Sequence, residues 1–403
     1  MRAMCDLRPV EESGADESLP AAPPVRARPG TLTMGVEEEF LLVDPETRLL
    51  APRAAPVIAG AASTLGGRVG SEITLYQVET RTDVHTRLSG LAEQLHETRA
   101  CLAGAARDHG ARLTSSGTPV LSPAGPIPIA AGARYARSVA TFQALSEEQV
   151  CCACHIHLGF DDRALALEVS NHLRVWLPTL IAAAANSPFW AGSDTGYASW
   201  RIMAFHRWPV SGPPPRFASP GHYDELVAAF VATGSTLDEA GVYWDIRPSH
   251  HLPTLEIRVA DACPTVDHTL LITALVRAAA LTALDAVHDR RPAPDPDPGL
   301  LRAACWRAAR DGLTGSAVDP LRRRLLPARE QLSALVRQVR PALSRLGDLP
   351  HVETLLDNLL RDGTGAERQR RAHRRRGRLT DTVDDLVATT LTPPHRPRGR
   401  TAR

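Results

Sequence analysis

Residues 35–43 read GVEEEFLLV, residues 154–160 CHIHLGF and residues 254–261 TLEIRVAD. Each segment alternates with a period of two, and on a strand residues i and i+2 point to the same face. In the first, Glu37 and Glu39 share a face, with Val36, Glu38 and Phe40 on the other. In the second, His155 and His157 share a face opposite Ile156 and Leu158. In the third, Glu256 and Arg258 share a face opposite Leu255, Ile257 and Val259. The pattern predicts a sheet with one apolar face and one face crowded with ionisable groups.

Such a face can simply meet water, as half-buried antiparallel sheets often do. Three strands of this kind, one carrying His-x-His, favour a site instead, because clustered carboxylates repel unless a cation offsets them. Glu79, on a strand expected over Glu72–Arg81, joins Glu37, Glu39 and Glu256 to give acids that outnumber the histidines. Oxygen-rich donor sets suit magnesium or manganese, whereas zinc prefers histidine and cysteine. Arg201, Arg247 and Arg258, on or near the ends of strands and loops, are candidates to stabilise transferred negative charge. The run Cys151-Cys152-Ala153-Cys154 invites a zinc reading. Alternation puts Cys152 and Cys154 opposite the histidines, and no second Cys-x-x-Cys completes a structural site, so packing cysteines are predicted.

The chain has 403 residues, and its 46 basic and 45 acidic side chains leave a formal net charge of +1. With aromatics at 4%, neither charge nor stacking surface argues for a nucleic-acid partner. All 46 basic residues are arginine. That excludes a P-loop, the strand lysine of a protein kinase and any Schiff-base mechanism, so a bound nucleotide would have to be held by arginine and metal ions. Seven irregularly spaced cysteines do not read as a disulfide framework. The apolar stretch 270–284 contains Arg277 and is short for a membrane span, so a soluble cytoplasmic protein is expected.

Residues 1–30, rich in proline, read as a disordered leader. Residues 31–291 alternate strand and helix patterns, with helices expected at 87–109, 163–185, 222–240 and 267–288 and an ordered loop at 186–201. The linker PAPDPDPG then introduces helical patterns at 299–311, 319–345, 349–361 and 365–389. The organisation is α+β: a catalytic unit over 31–291, a helical region over 292–390 packed on it, and a disordered basic tail, 391–403. The basic run RQRRAHRRRGR reads as a solvated helical face, since acids follow it and no aromatics interleave.

The ordered set GVEEEFLLVDP, QVETRTDV, CHIHLGF, NSPFWAGSDTGYASWR, VYWDIRPS and TLEIRVADACPTVD resembles the carboxylate–amine ligases of the type 2 glutamate–cysteine ligase family, from about Thr31 to Thr389. The resemblance implies a glutamine-synthetase-like curved antiparallel β-sheet with flanking helices. It implies ATP and Mg2+ (or Mn2+) on the concave face, and amide formation through an acyl phosphate. Glu37, Glu39, Glu79, His155 and Glu256 match the family's metal positions, and His157, Arg258 and Arg247 its nucleotide-binding positions. Arg258, Arg247 and Arg201 match basic positions expected at the γ-phosphate or a substrate carboxylate; Glu72 matches less well, being of opposite parity to Glu79 on a regular strand. Glutamate is the implied carboxylate and a homodimer the implied assembly. Gly196, Pro253 and the Gly117-Thr118-Pro119 segment depart from the family pattern beside the expected substrate pocket, which leaves the amine open. A metal-dependent amide hydrolase built on His155 and His157 is the alternative from a different class.

Overall fold

The computed structural model describes residues 32–148 and 150–393. The expected leader and most of the basic tail therefore lie outside the described residues.

A seven-stranded sheet organises the molecule. Strand β1 (Met34–Val43) lies at its centre, paired antiparallel with β3 (Gln77–Arg81) on one side and, along the other, with β5 (Ala153–Gly159) and then β4 (Arg112–Thr114). Strand β2 (Val69–Ser71) closes one edge beyond β3. On the other side β5 pairs with Thr254–Asp261, which pairs with Ile246–Pro248. This is the α+β class expected from the order of strand and helix patterns, with the antiparallel sheet that the resemblance implies.

Register carries the ionisable residues into rows. Glu37 stands opposite Arg81 on one side and His155 on the other. Glu39 faces Glu79, and His157 is flanked by Gly35 and by Glu256, which in turn faces Arg247. The strand Thr254–Asp261 departs from its register between Ile257 and Ala260, so Arg258 and Val259 together oppose His155. This β-bulge shifts the alternation by one: Ile257, Val259 and Ala260 all join the core cluster, and Asp261 turns to the face of Glu256. Strict alternation would have put Asp261 with the apolar residues.

The opposite face of the sheet is the main core. Met34, Val36, Cys154, Ile156, Leu158, Leu255 and Ile257 pack there against helices Leu88–Asp108, Arg163–Leu173 and Val266–His288. The last of these begins at a Thr265 cap that accepts from His268 N–H. By length and hydropathy it could cross a bilayer, yet most of it is buried inside the fold. Cys305, Leu335, Leu343, Val352 and Leu359 belong to the same cluster, so helices Pro298–Asp311, Ala328–Leu346 and Leu349–Asp362 share one core with the sheet, while Leu386 of the last helix packs in a second cluster with Leu41 and Val43.

Local departures have local causes. Helix Ala54–Leu65, which the pattern did not suggest, covers Phe40 and Val78 through Val57 and Ala61. The expected helix 163–185 is interrupted by a 3-10 turn, Arg174–Trp176, before Pro178 restarts it in the first turn, where a missing N–H costs little. The first part of 319–345 is a hairpin, Ser316–Asp319 with Arg324–Pro327, and its helix starts at Ala328. The pattern at 365–389 splits at Gly377, whose φ of 69° ends Gly365–Arg376 before Leu379–Thr390 begins. The strand expected from Glu72 begins only at Gln77.

Candidate active site

The ionisable face of the sheet gathers two groups of donors, each with ligand atoms within 4.8 Å of one another: Glu37, His157 and Glu256, and Glu39, Glu72 and Glu79. Register builds the first group and brings Glu39 to Glu79 in the second, which Glu72 joins from a connection. His155 lies between them, its Nδ1 3.2 Å from Glu37 and 3.8 Å from Glu256, and its Nε2 3.8 Å from Glu39. His157 Nε2 approaches Glu37 at 3.4 Å, while its Nδ1 meets the Thr254 hydroxyl at 2.9 Å. Nε2 of both histidines is buried without a hydrogen-bond partner among the described residues.

Glu72 reaches its group by a route that strand parity hides. It lies beyond the end of β2, in the connection that leads back into β3, so the alternation that governs Glu79 does not govern it.

Electrostatics differ between the groups. Burial and the neighbouring carboxylate of Glu72 push the Glu39 carboxyl up to about 8. Burial, then Glu37, Glu72 and Glu39, raise Glu79 well above the ordinary range. The raised carboxyls of Glu39 and Glu79 are short of compensating positive charge, and with Glu72 they form an all-oxygen donor set of the kind a hard divalent cation satisfies. Glu256 is held low, because the guanidinium groups of Arg258 and Arg247 outweigh its burial. Glu37 also lies well below its ordinary value, since His157 and His155 together overcome desolvation. His155 is pushed down to about 4 by burial and by Arg258, so it is a neutral donor at physiological pH.

The three candidate arginines are placed differently. Arg247 donates Nε–H to Glu256 Oε2 at 2.9 Å and Nη1–H to the Val242 and Ala240 carbonyls, which fixes it beside the first group. Arg258, in the bulge, contacts Glu256 Oε1 through Nη1, and its Nε is buried and has no partner among the described residues. Arg201 comes from helix Trp200–Phe205, is 2% exposed, and lies over the Phe205 ring at 5.2 Å. Its Nη2–H donates to the Arg258 carbonyl at 3.2 Å, and its Nε and Nη1 have no partner among the described residues. Burying N–H donors unpaired is costly, and guanidinium forks match carboxylate and phosphate oxygens.

Cys154 lies on the apolar side with Ile156, as expected. Cys152 does not: β5 starts only at Ala153, and Cys152 packs with Leu41 and Val43 on the Glu39 side, where the Gln77 amide donates to its sulfur at 3.5 Å. It is buried, like Cys151, Cys154, Cys263 and Cys305, and all are free thiols. The packing role stands, with Cys152 moved to the other face.

Residues 33–388 match the profile of Glutamate-cysteine ligase family 2. The chain belongs to that family. A protein of Nocardia farcinica assigned by name as a glutamate–cysteine ligase 2-1 is 44% identical over 360 residues, 89% of this chain and 93% of its own length. One from Saccharopolyspora erythraea, with the same assigned name, is 44% identical over 362 residues, covering 89% and 95%. Among solved structures, Francisella tularensis glutamate–cysteine ligase in complex with AMP superposes with a TM-score of 0.68 at 14% identity, covering 89% of this chain and 88% of that one. A bifunctional glutathione synthetase from Pasteurella multocida gives 0.66 at 14% identity, covering 90% and 52%. At such identity these two speak for the fold alone. Membership of glutamate–cysteine ligase family 2 makes the chain a carbon–nitrogen ligase acting on a carboxylate and an amine, and the hydrolase alternative finds no support.

Proposed function

We propose that the chain forms a γ-glutamyl-type amide by an ATP- and magnesium-dependent reaction through an acyl phosphate. The observation that carries this reading is the pairing of two donor groups on one sheet face with arginine N–H groups buried unpaired beside them. Glu39, Glu72 and Glu79 would hold one divalent cation and Glu37, His157 and Glu256 another, with His155 between them. Bound there, the cations would offset the repulsion between a carboxylate nucleophile and the triphosphate.

The side chains account for the rest. Arg258 supports the transferring phosphoryl group from the bulge, as arginine does in other phosphoryl transfers. Arg247 keeps Glu256 oriented, and Arg201 offers two N–H donors to an anionic oxygen of a reactant. A carboxylate oxygen attacks the γ-phosphorus and ADP leaves. The amine nitrogen then attacks the acyl carbon, the phosphate leaves with the C–O bonding pair, and the nitrogen loses its proton. No enzyme nucleophile is required, which suits a centre whose thiols are buried packing residues. The names assigned to the relatives make glutamate the first carboxylate to test.

The test uses glutamate, ATP and magnesium with hydroxylamine as a small acceptor. Glutamyl hydroxamate and equimolar phosphate are expected, and Glu256→Gln should abolish both with the fold intact. Amide hydrolysis without ATP, or full activity in Glu256→Gln, would sink the assignment.

A further inference from the structure

The short helix Trp200–Phe205, which carries Arg201, is tied at both ends to buried carboxylates that lie outside the two donor groups. At its start, Ser199 caps the helix and donates its hydroxyl to Asp261 Oδ1 at 2.8 Å. Asp261 Oδ2 accepts from Asn186 N–H and from the Ser187 hydroxyl, both at 2.7 Å. Ser187 Oγ in turn accepts the backbone N–H of Arg201 at 3.0 Å. At its end, His206 Nε2 meets Asp245 Oδ1 at 3.0 Å. The backbone of Asp245 is committed as well, donating N–H to the Gly212 carbonyl and accepting the N–H of Arg258, each at 2.9 Å.

Both ties therefore converge on the bulge. Asp261 lies on the strand that carries Arg258, and Asp245 holds the amide of Arg258. Between them, Arg201 donates to the Arg258 carbonyl and keeps Nε and Nη1 unpaired. Three residues with no role in the donor groups thus hold the backbone segments that carry two guanidinium groups. Pre-set geometry of this kind decides how much of a charged group's attraction reaches the reacting atoms.

We infer that Asp261, Asp245 and His206 are positioning residues of the ligase centre, which hold the Arg201 helix over the Arg258 bulge so that both guanidinium groups face one anionic oxygen of the reactants. The inference rests on the proposed ligase reading. That oxygen belongs either to the γ-phosphate or to the substrate carboxylate, and kinetics separates the two.

The experiment is a double-mutant cycle on the full chain with the hydroxamate assay. His206→Leu should lower kcat/KM by about tenfold or more, and His206→Gln, which keeps a donor for Asp245, should restore most of it. Asp261→Asn, which replaces an acceptor oxygen by a donor nitrogen, should cost more. In an Arg201→Gln background the losses from His206→Leu and Asp261→Asn should nearly vanish, because their route to the reaction is already cut. A rise in KM for glutamate alone assigns Arg201 to the carboxylate; a fall in kcat at constant KM assigns it to the phosphoryl group. Losses that multiply across the Arg201→Gln background, or a His206→Gln variant as impaired as His206→Leu, would overturn the inference and leave the ligase reading standing. An inactive wild-type chain would overturn both.

Discussion

Strand β1 carries three consecutive glutamates, and its two faces treat them in opposite ways. Glu38 points into the core, where Arg99 binds it through two nitrogens at 2.6 and 2.9 Å and Thr269 donates a hydroxyl at 2.7 Å. The remaining N–H groups of Arg99 reach the Cys263, Pro264 and Thr390 carbonyls, so the pair also ties β1 to the start of the Val266–His288 helix and to the end of the last one. Glu39, one residue on, receives a backbone N–H from Ala153 at 2.7 Å and faces Glu72, Glu79 and a neutral histidine, and the charges of Arg201 and Arg258 do not offset its burial and the Glu72 carboxylate. One carboxylate is neutralised within the chain and serves the fold. The other is left short of positive charge, and that deficit marks the site.

The largest expected effect comes from breaking the neutralised side. Glu38→Ala strands a fully buried guanidinium and should cost about 3–5 kcal/mol of stability, read as a lower denaturant midpoint at unchanged slope. On the other face Glu39→Gln should do the reverse: stability at neutral pH unchanged or raised, and ligase turnover down by on the order of 100-fold. If Glu39→Gln destabilised the chain as much as Glu38→Ala, the comparison would fail.

A third prediction concerns pH. In the metal-free protein the Glu39 carboxyl titrates near 8, above its ordinary value of 4.5. A group raised on folding contributes fully below the unfolded-state value, and that contribution is lost as pH rises through the folded one. Thermal midpoints in chelator should therefore fall from about pH 4.5 to 8. Magnesium should flatten the slope by favouring the ionised form, and Glu39→Gln should flatten it without magnesium. A midpoint independent of pH in chelator would contradict this. The smallest effect is expected at Gly117, where an added Cβ would sit 2.7 Å from Asp261 Cγ. Gly117→Ala should cost about 1–3 kcal/mol, with activity falling through Asp261.

Much of this was legible in the sequence because alternation is a strict rule wherever strands are regular. It separated Glu37 and Glu39 from Glu38, and His155 and His157 from Ile156, and the register then brought them together. It failed where regularity ends. Glu72 lies outside a strand, Cys152 precedes one, and Asp261 follows the bulge. The role of Asp245 was unreadable for another reason: half of it is played by backbone atoms, which every residue possesses. The Arg99–Glu38 pair spans 61 residues, and no local pattern reports a contact of that range.

The extra residue near Val259 has a consequence for how this strand can change over time. Losing that one codon would straighten the strand and still leave Glu256 and Asp261 on one side, since the pairing already passes over one residue there. Gaining a codon would turn everything downstream by half a turn, sending Asp261 into the hydrocarbon layer and leaving the helix that bears Arg201 without its anchor. At this point in the chain, tolerance to shortening and tolerance to lengthening part company.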